Sequence, residues 1–301
     1  MFMNSNAKLK EFWGESSHFA DLFNTVFFGG RAVILPETLS ETDTALTAAV
    51  KRKKRKGFSV EKFRDVFMTW RGHGLAVLGI ENQTKADYVL PERLLLYDAL
   101  GYEVQRRRIA RKHRREKSLK ASAEYLSGFK KSDKLLAQVT IVIYYGEKDW
   151  EGPRRLSDLM EIPEELEPYF NNYQIYIFSI NTSDGSEFKD PEVRKILKAA
   201  YCLRRKRIEE LEPMRAEEVS VLAAFVNSER LAELAESGEE EIKVCTALKE
   251  MIAEGEEQGM QRGIRETAAH MVRSMYKKGF GAEEIAGTLE WPLEKVKEYI
   301  K

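Results

Sequence analysis

Two stretches of the sequence place acids where a strand hairpin would bring them near one another. Asp65 lies in RDVFMTW (64–70), and Glu81-Asn82-Gln83 closes LAVLGIENQ (75–83). Both runs are rich in β-branched and aromatic residues. The intervening Arg71-Gly72-His73-Gly74 has the composition of a tight turn, so the pattern predicts an antiparallel pair. Side chains alternate along a strand, which puts Glu81 and Gln83 on one face. Asp65, Glu81 and the backbone carbonyl of Asn82 form a hard, all-oxygen donor set. Such a set suits Mg²⁺, which keeps several waters and uses one or two carboxylates. An ion held there lowers the pKa of a water and offsets charge on a phosphate. The same spacing also fits a pair of solvated strand-end acids.

Basic segments supply a second kind of chemistry. Lys51, Arg52, Lys53, Lys54, Arg55 and Lys56 form one run, and a helix expected over 87–117 ends in Arg106, Arg107, Arg108, Arg111, Lys112, Arg114 and Arg115. Charges like these neutralise phosphates and release counterions, which gives affinity for duplex DNA without reading its sequence. The bland reading is a charged loop and a solvated helix face. The formal net charge is zero, yet Lys and Arg outnumber Asp and Glu over residues 1–120 and the balance reverses afterwards.

The elements that must position these residues can be traced along the chain. With 43% hydrophobic and 33% charged residues, the composition is that of a folded chain with a wet surface. A helix is expected over 18–28, ended by Gly29-Gly30, and a strand over 32–35, closed by Pro36. After the hairpin comes the 87–117 helix, with Leu90, Leu94, Tyr97 and Leu100 on its apolar face. Strands follow over 138–145 and 173–180, the first apolar enough to be central. Beyond 190 the pattern is helical throughout. This order predicts an α/β (α+β) domain with an all-helical C-terminal extension.

Three short helices are expected at the end, over 266–278, 282–288 and 292–300. The last two resemble a helix-turn-helix outline, with Pro292 at the start of the second. That second helix offers a mixture of Glu294, Lys295, Lys297 and Glu298, so the tail also reads as a packing or dimerisation module, with a homodimer as its consequence. Cys202 and Cys245 lack metal-ligand spacing and are expected to be reduced. His18, His73, His113 and His270 do not cluster. No apolar run approaches the ~20 residues of a membrane helix and no signal peptide is evident, so a cytoplasmic chain without membrane partners is expected.

The stretch FADLFN…GRAVILPETLSETDT…RDVFMTW…GIENQTKADYVLPERLLLYDALGYE…SGFKKSDKLLAQVTIVIYYGEKDWEGPRRLSDL resembles the Rpn or YhgA-like family of recombination-promoting nucleases and putative transposases, within the PD-(D/E)XK superfamily. The similarity runs from about residue 18 to about residue 185, and the tail after 260 is similar to tails of that family. The resemblance implies a restriction-endonuclease-like core with a mixed sheet flanked by helices over 1–188, a helical extension over 189–260 and a small tail over 261–301. It implies a Mg²⁺-dependent DNA endonuclease of low sequence specificity, with Asp65 and Glu81 as the half-motif acids and metal ligands. Arg64 precedes Asp65 where the superfamily has Pro, and Gln83 stands where many members have Lys. An amide is neutral and does not titrate, so this departure leaves water activation more dependent on the metal. Asp21 is the candidate for an additional metal-binding acid from the first helix. Arg93 and Tyr97 match the helix after the motif, where Arg93 would contact phosphate or serve packing. The rival expectation is a catalytically inactive nuclease-like protein that binds DNA or acts as a scaffold.

Overall fold

The computed structural model describes residues 5–41, 65–71 and 75–300. The basic run from Lys51 to Lys56 lies outside the described residues. The chain divides into two compact units, 1–242 and 243–301.

In the first unit the N-terminal helices are α1 (Ser5–Gly14) and α2 (Ser16–Phe28). Leu9, Phe12 and Trp13 are buried at helical spacing on α1. Helix α2 stops because Gly29 adopts the left-handed conformation at φ 59°, which costs glycine nothing. A five-stranded mixed sheet follows, made of β1 (Leu39–Glu41), β2 (Val66–Arg71), β3 (Leu75–Gln83), β4 (Ala137–Tyr144) and β5 (Tyr176–Ser179), in that spatial order. Strands β1, β2 and β3 pair antiparallel, with Val66 opposite Ile80, whereas β3, β4 and β5 pair parallel, with Glu81 opposite Val142. Parallel neighbours need a long crossover, supplied between β3 and β4 by α3 (Leu90–Glu116) and the short α4 (Ser122–Ser127).

The sheet is covered on both faces. Leu90 and Leu94 of α3 pack with Val142 and Ile175 on one side. Burying each such leucine contributes about 1.5–3 kcal/mol. On the other side Phe12 and Trp13 meet Phe225, at ring-centroid distances of 5.4 and 5.9 Å, and Tyr145 reaches the same ring at 5.3 Å. Ile141, Val142 and Ile143 are fully buried, which accounts for the near-continuous apolar run of β4.

Several sequence expectations are corrected. Residues 32–35 form no strand. The Asn24 side chain accepts from the Val33 and Ile34 amides at 3.1 and 2.9 Å and donates to the Ile34 carbonyl at 2.8 Å, so a side chain takes the place of a ladder. The strand comes later, as β1, after a 3₁₀ turn over Pro36–Thr38. The helical stretch after the sheet comprises α5 (Pro191–Arg204), α6 (Ala216–Val226) and α7 (Glu229–Ala235). It also holds a short antiparallel pair, β6 (Met214–Arg215) with β7 (Glu241–Ile242), that the sequence pattern does not signal. Residues 189–242 belong to the same unit as the sheet because Phe225 of α6 completes the α1 cluster. Arg204 of α5 also donates to the Tyr145 carbonyl at 2.7 Å and the Phe225 carbonyl at 3.2 Å.

The second unit consists of α8 (Val244–Lys277), α9 (Ala282–Leu289) and α10 (Leu293–Ile300). Its core is Val272, Ile285, Ala286 and Val296. Helix α8 runs unbroken from Val244, well before the start expected near 266. Cys202 and Cys245 are both free thiols. Among the described residues no helix is long and apolar enough to cross a membrane.

Candidate functional site

Asp65, the residue before β2, bonds to β3 on either side of Glu81. Its N–H donates to the Ile80 carbonyl at 3.0 Å, and its Oδ2 accepts the Asn82 N–H at 2.9 Å. The carboxylate therefore extends the hairpin ladder past the point where the strand ends. Its other oxygen, Oδ1, lies 2.9 Å from Nζ of Lys10, a residue of α1.

Glu81 faces the α3 side of the sheet. Its Oε1 is 3.2 Å from Arg93 in the first turn of α3, and the other arm of that guanidinium is 2.5 Å from Asp87. Asp87 also accepts the Val89 N–H at 3.0 Å through Oδ1, so one residue both shapes the turn leading into the helix and holds the arginine. Tyr97 stands one turn further along α3. Burial pushes its hydroxyl above the ordinary tyrosine value. The Arg93 guanidinium works against that rise, and the charges of Glu81, Asp87 and Asp65 add to it. All three acids thus act on one hydroxyl.

Asn82 points to the opposite face, as strand alternation requires. Its Oδ1 accepts from the Tyr145 hydroxyl at 3.0 Å, which in turn accepts from Trp13 Nε1 at 2.7 Å. Complete burial drives the Tyr145 hydroxyl well above the usual range, the Trp13 hydrogen bond offsets this in part, and the Asp65 charge raises it further. Asp65 is therefore felt by tyrosines on both faces, as fits a group at the open end of the sheet between the helical layers. The Gln83 carbonyl accepts the Tyr145 N–H at 2.8 Å, which fixes the strand end that carries the Gln83 side chain.

Asp65, Glu81, Asn82 and Gln83 thus share one end of the hairpin, and Arg93 joins them. Asp21 has a different engagement. Its Oδ2 accepts the Lys189 and Asp190 amides at 2.8 and 2.7 Å, which braces the turn where Asp190 caps α5. Of the basic residues on α3, Arg107 is tied to Glu103 at 2.6 Å and Arg106 to the same acid at 2.8 Å. Those bonds, led by the one from Arg106, hold the Glu103 carboxyl below its ordinary value. Arg108 and Arg111 are exposed, and with Lys112 and Arg115 they form a stripe at spacings of three and four residues.

Sequence reasoning missed Lys10, Trp13 and Tyr145. Leu9, Phe12 and Trp13 carry the i, i+3, i+4 apolar signature of a helix, which would have located α1 and with it Lys10. Nothing local marks Tyr145 as the partner of Asn82, because that contact comes from strand pairing.

The donor set at the hairpin end consists of carboxylate and carbonyl oxygens, without His or Cys, and so fits a hard divalent cation. Each acid faces a tethered cation, so an ion that binds there must displace Lys10 and Arg93. Among the described residues no three His, Cys, Asp or Glu side chains converge as a cage. One or two carboxylates are what Mg²⁺ ordinarily takes from a protein. No family model, curated protein or solved structure matches the chain.

Proposed function

We propose that this chain is a Mg²⁺-dependent DNA endonuclease of low sequence specificity, built on a PD-(D/E)XK-like core, with Asp65 and Glu81 as its metal ligands. The observation that supports this most is the arrangement at the end of the hairpin. Asp65 hydrogen-bonds to the residue following Glu81, and Lys10 and Arg93 flank the pair. Mg²⁺, when bound, supplies an acidified water and offsets phosphate charge. The chain's own residues do the rest. Asp65 and Glu81 hold the ion, and Gln83, two residues along the same strand face, orients the water by its amide. Arg93 and the exposed stripe of α3 engage phosphates.

The test is nicking of supercoiled plasmid. Glu81→Ala abolishes Mg²⁺-dependent nicking while the far-ultraviolet circular dichroism stays that of the wild type. Undiminished cutting by the variant at matched purity rejects the assignment.

A second reading is a nuclease-like DNA-binding or scaffold protein without turnover. It is favoured by the neutral Gln83 and by the fact that both acids are already paired with cations. DNA binding that responds to salt but not to Mg²⁺, with no cleavage, would identify this case.

A further inference from the structure

Lys10 and Arg93 reach the two acids from different layers, Lys10 from α1 and Arg93 from α3. Both are basic side chains on flexible stems, 29% exposed, whereas Asp65 and Glu81 are 17% and 13% exposed. With Asp87, the cluster holds three carboxylates and two cations. Its formal charge is one negative, which repels a phosphate. A divalent cation inverts that sign to one positive. The ion competes with Lys10 and Arg93 for the same carboxylate oxygens, and a phosphodiester offers those two side chains new acceptors, in the bidentate geometry that guanidinium favours.

We infer that the site works by exchange of ionic partners: a divalent cation takes Asp65 and Glu81 as a phosphodiester takes Lys10 and Arg93, so that each ligand strengthens binding of the other. This rests on the reading of Asp65 and Glu81 as a cation site and adds to it the role of Lys10. Lys10 is then both a competitor of the ion in the free protein and a phosphate contact in the complex. These roles move in opposite directions when Lys10 is removed, which a purely structural salt bridge would not do.

The experiment uses the full chain, with Ca²⁺ as the ion and a short DNA duplex as the phosphodiester, at constant ionic strength. Calorimetry gives Ca²⁺ affinity with and without saturating duplex, and duplex affinity with and without saturating Ca²⁺. Linkage requires the two enhancement factors to be equal, and a coupling of ordinary size makes them roughly 5-fold or more. Lys10→Met binds Ca²⁺ alone more tightly than the wild type, yet its enhancement factor falls toward one. Lys10→Arg keeps the coupling because it keeps the charge. Glu81→Ala loses Ca²⁺ binding and measures whatever enhancement comes from ions condensed on the duplex itself.

If Lys10→Met weakens Ca²⁺ binding, or keeps the wild-type coupling, the exchange is wrong while the cation site stands. If the wild type binds no Ca²⁺ with or without duplex, the site reading fails and the exchange fails with it.

Discussion

At the scale of single residues, Asn82 is held by bonds that come from outside its own strand. Its N–H is taken by Asp65 and its side-chain oxygen by Tyr145, while Nδ2 is buried with no hydrogen-bond partner. The Tyr145 hydroxyl thus joins Trp13 on α1 to the strand segment that carries Glu81. Tyr145→Phe removes that hydroxyl at nearly constant volume and leaves Trp13 Nε1 and Asn82 Oδ1 without their bond. An unsatisfied buried group costs about 1–3 kcal/mol, so chemical denaturation should show a loss of that size. A midpoint equal to the wild type's would mean that the three-residue chain does not brace the site. Asp21 teaches the converse lesson. An acid on the first helix looks like a ligand in sequence, but two backbone amides from residues 189 and 190 already bond to its carboxylate. Sequence reading could not foresee this, because the partners lie far along the chain.

At the scale of elements, α5 and α6 are joined through Glu218, which is only 6% exposed. Burial alone would raise its carboxyl. The hydrogen bonds from Lys195 at 2.7 Å and from the Arg215 N–H at 2.8 Å outweigh that effect and bring it below its ordinary value. A carboxyl depressed in the folded state contributes stability above its unfolded pKa and loses it as pH falls through the folded value. Glu218→Gln keeps a capping oxygen but not the charge. It should cost about 1 kcal/mol near neutrality, and the gap from the wild type should close in acid, below the ordinary carboxylate range. A gap that persists there would assign the loss to packing. Elements whose signal is local were legible in the sequence. These include β3, bounded by a turn and the acid-amide triplet, the long α3 with its apolar stripe, and the central β4. Elements set by distant partners were not. The 32–35 segment reads as a strand until Asn24 takes its amides, and the 214–215 and 241–242 pair depends on partners that lie far apart along the chain, Met214 with Ile242 and Arg215 with Glu241. The candidate site divides in the same way. The hairpin pairs the two strand ends that carry Asp65 and Glu81, as its composition suggests, while Lys10 and Tyr145 arrive by tertiary packing.

At the scale of the whole molecule, the net charge of zero hides an uneven distribution along the chain, basic over residues 1–120 and acidic afterwards. A polyanion responds to the local field and not to the total. On α3 the buried residues Leu90, Leu94, Asp98, Gln105 and His113 turn inward, and Arg108, Arg111, Lys112 and Arg115 turn outward. Arg106 and Arg107 contribute less to that outward field because Glu103 sits between them. If the outward stripe engages phosphates, each contact adds about 0.9 to the steepness with which log affinity falls against log salt. Replacing Arg111, Lys112 and Arg115 together by alanine should therefore flatten the salt dependence of duplex binding by about 2–3. The loss of affinity should be the same for duplexes of unrelated sequence, since phosphate contacts carry no sequence information. Arg106→Ala should change the slope far less, because its charge is already opposed. An unchanged slope in the triple variant would place the phosphate contacts elsewhere on the chain. A loss confined to one duplex sequence would mean that α3 reads bases, and the low specificity proposed for this protein would then be wrong.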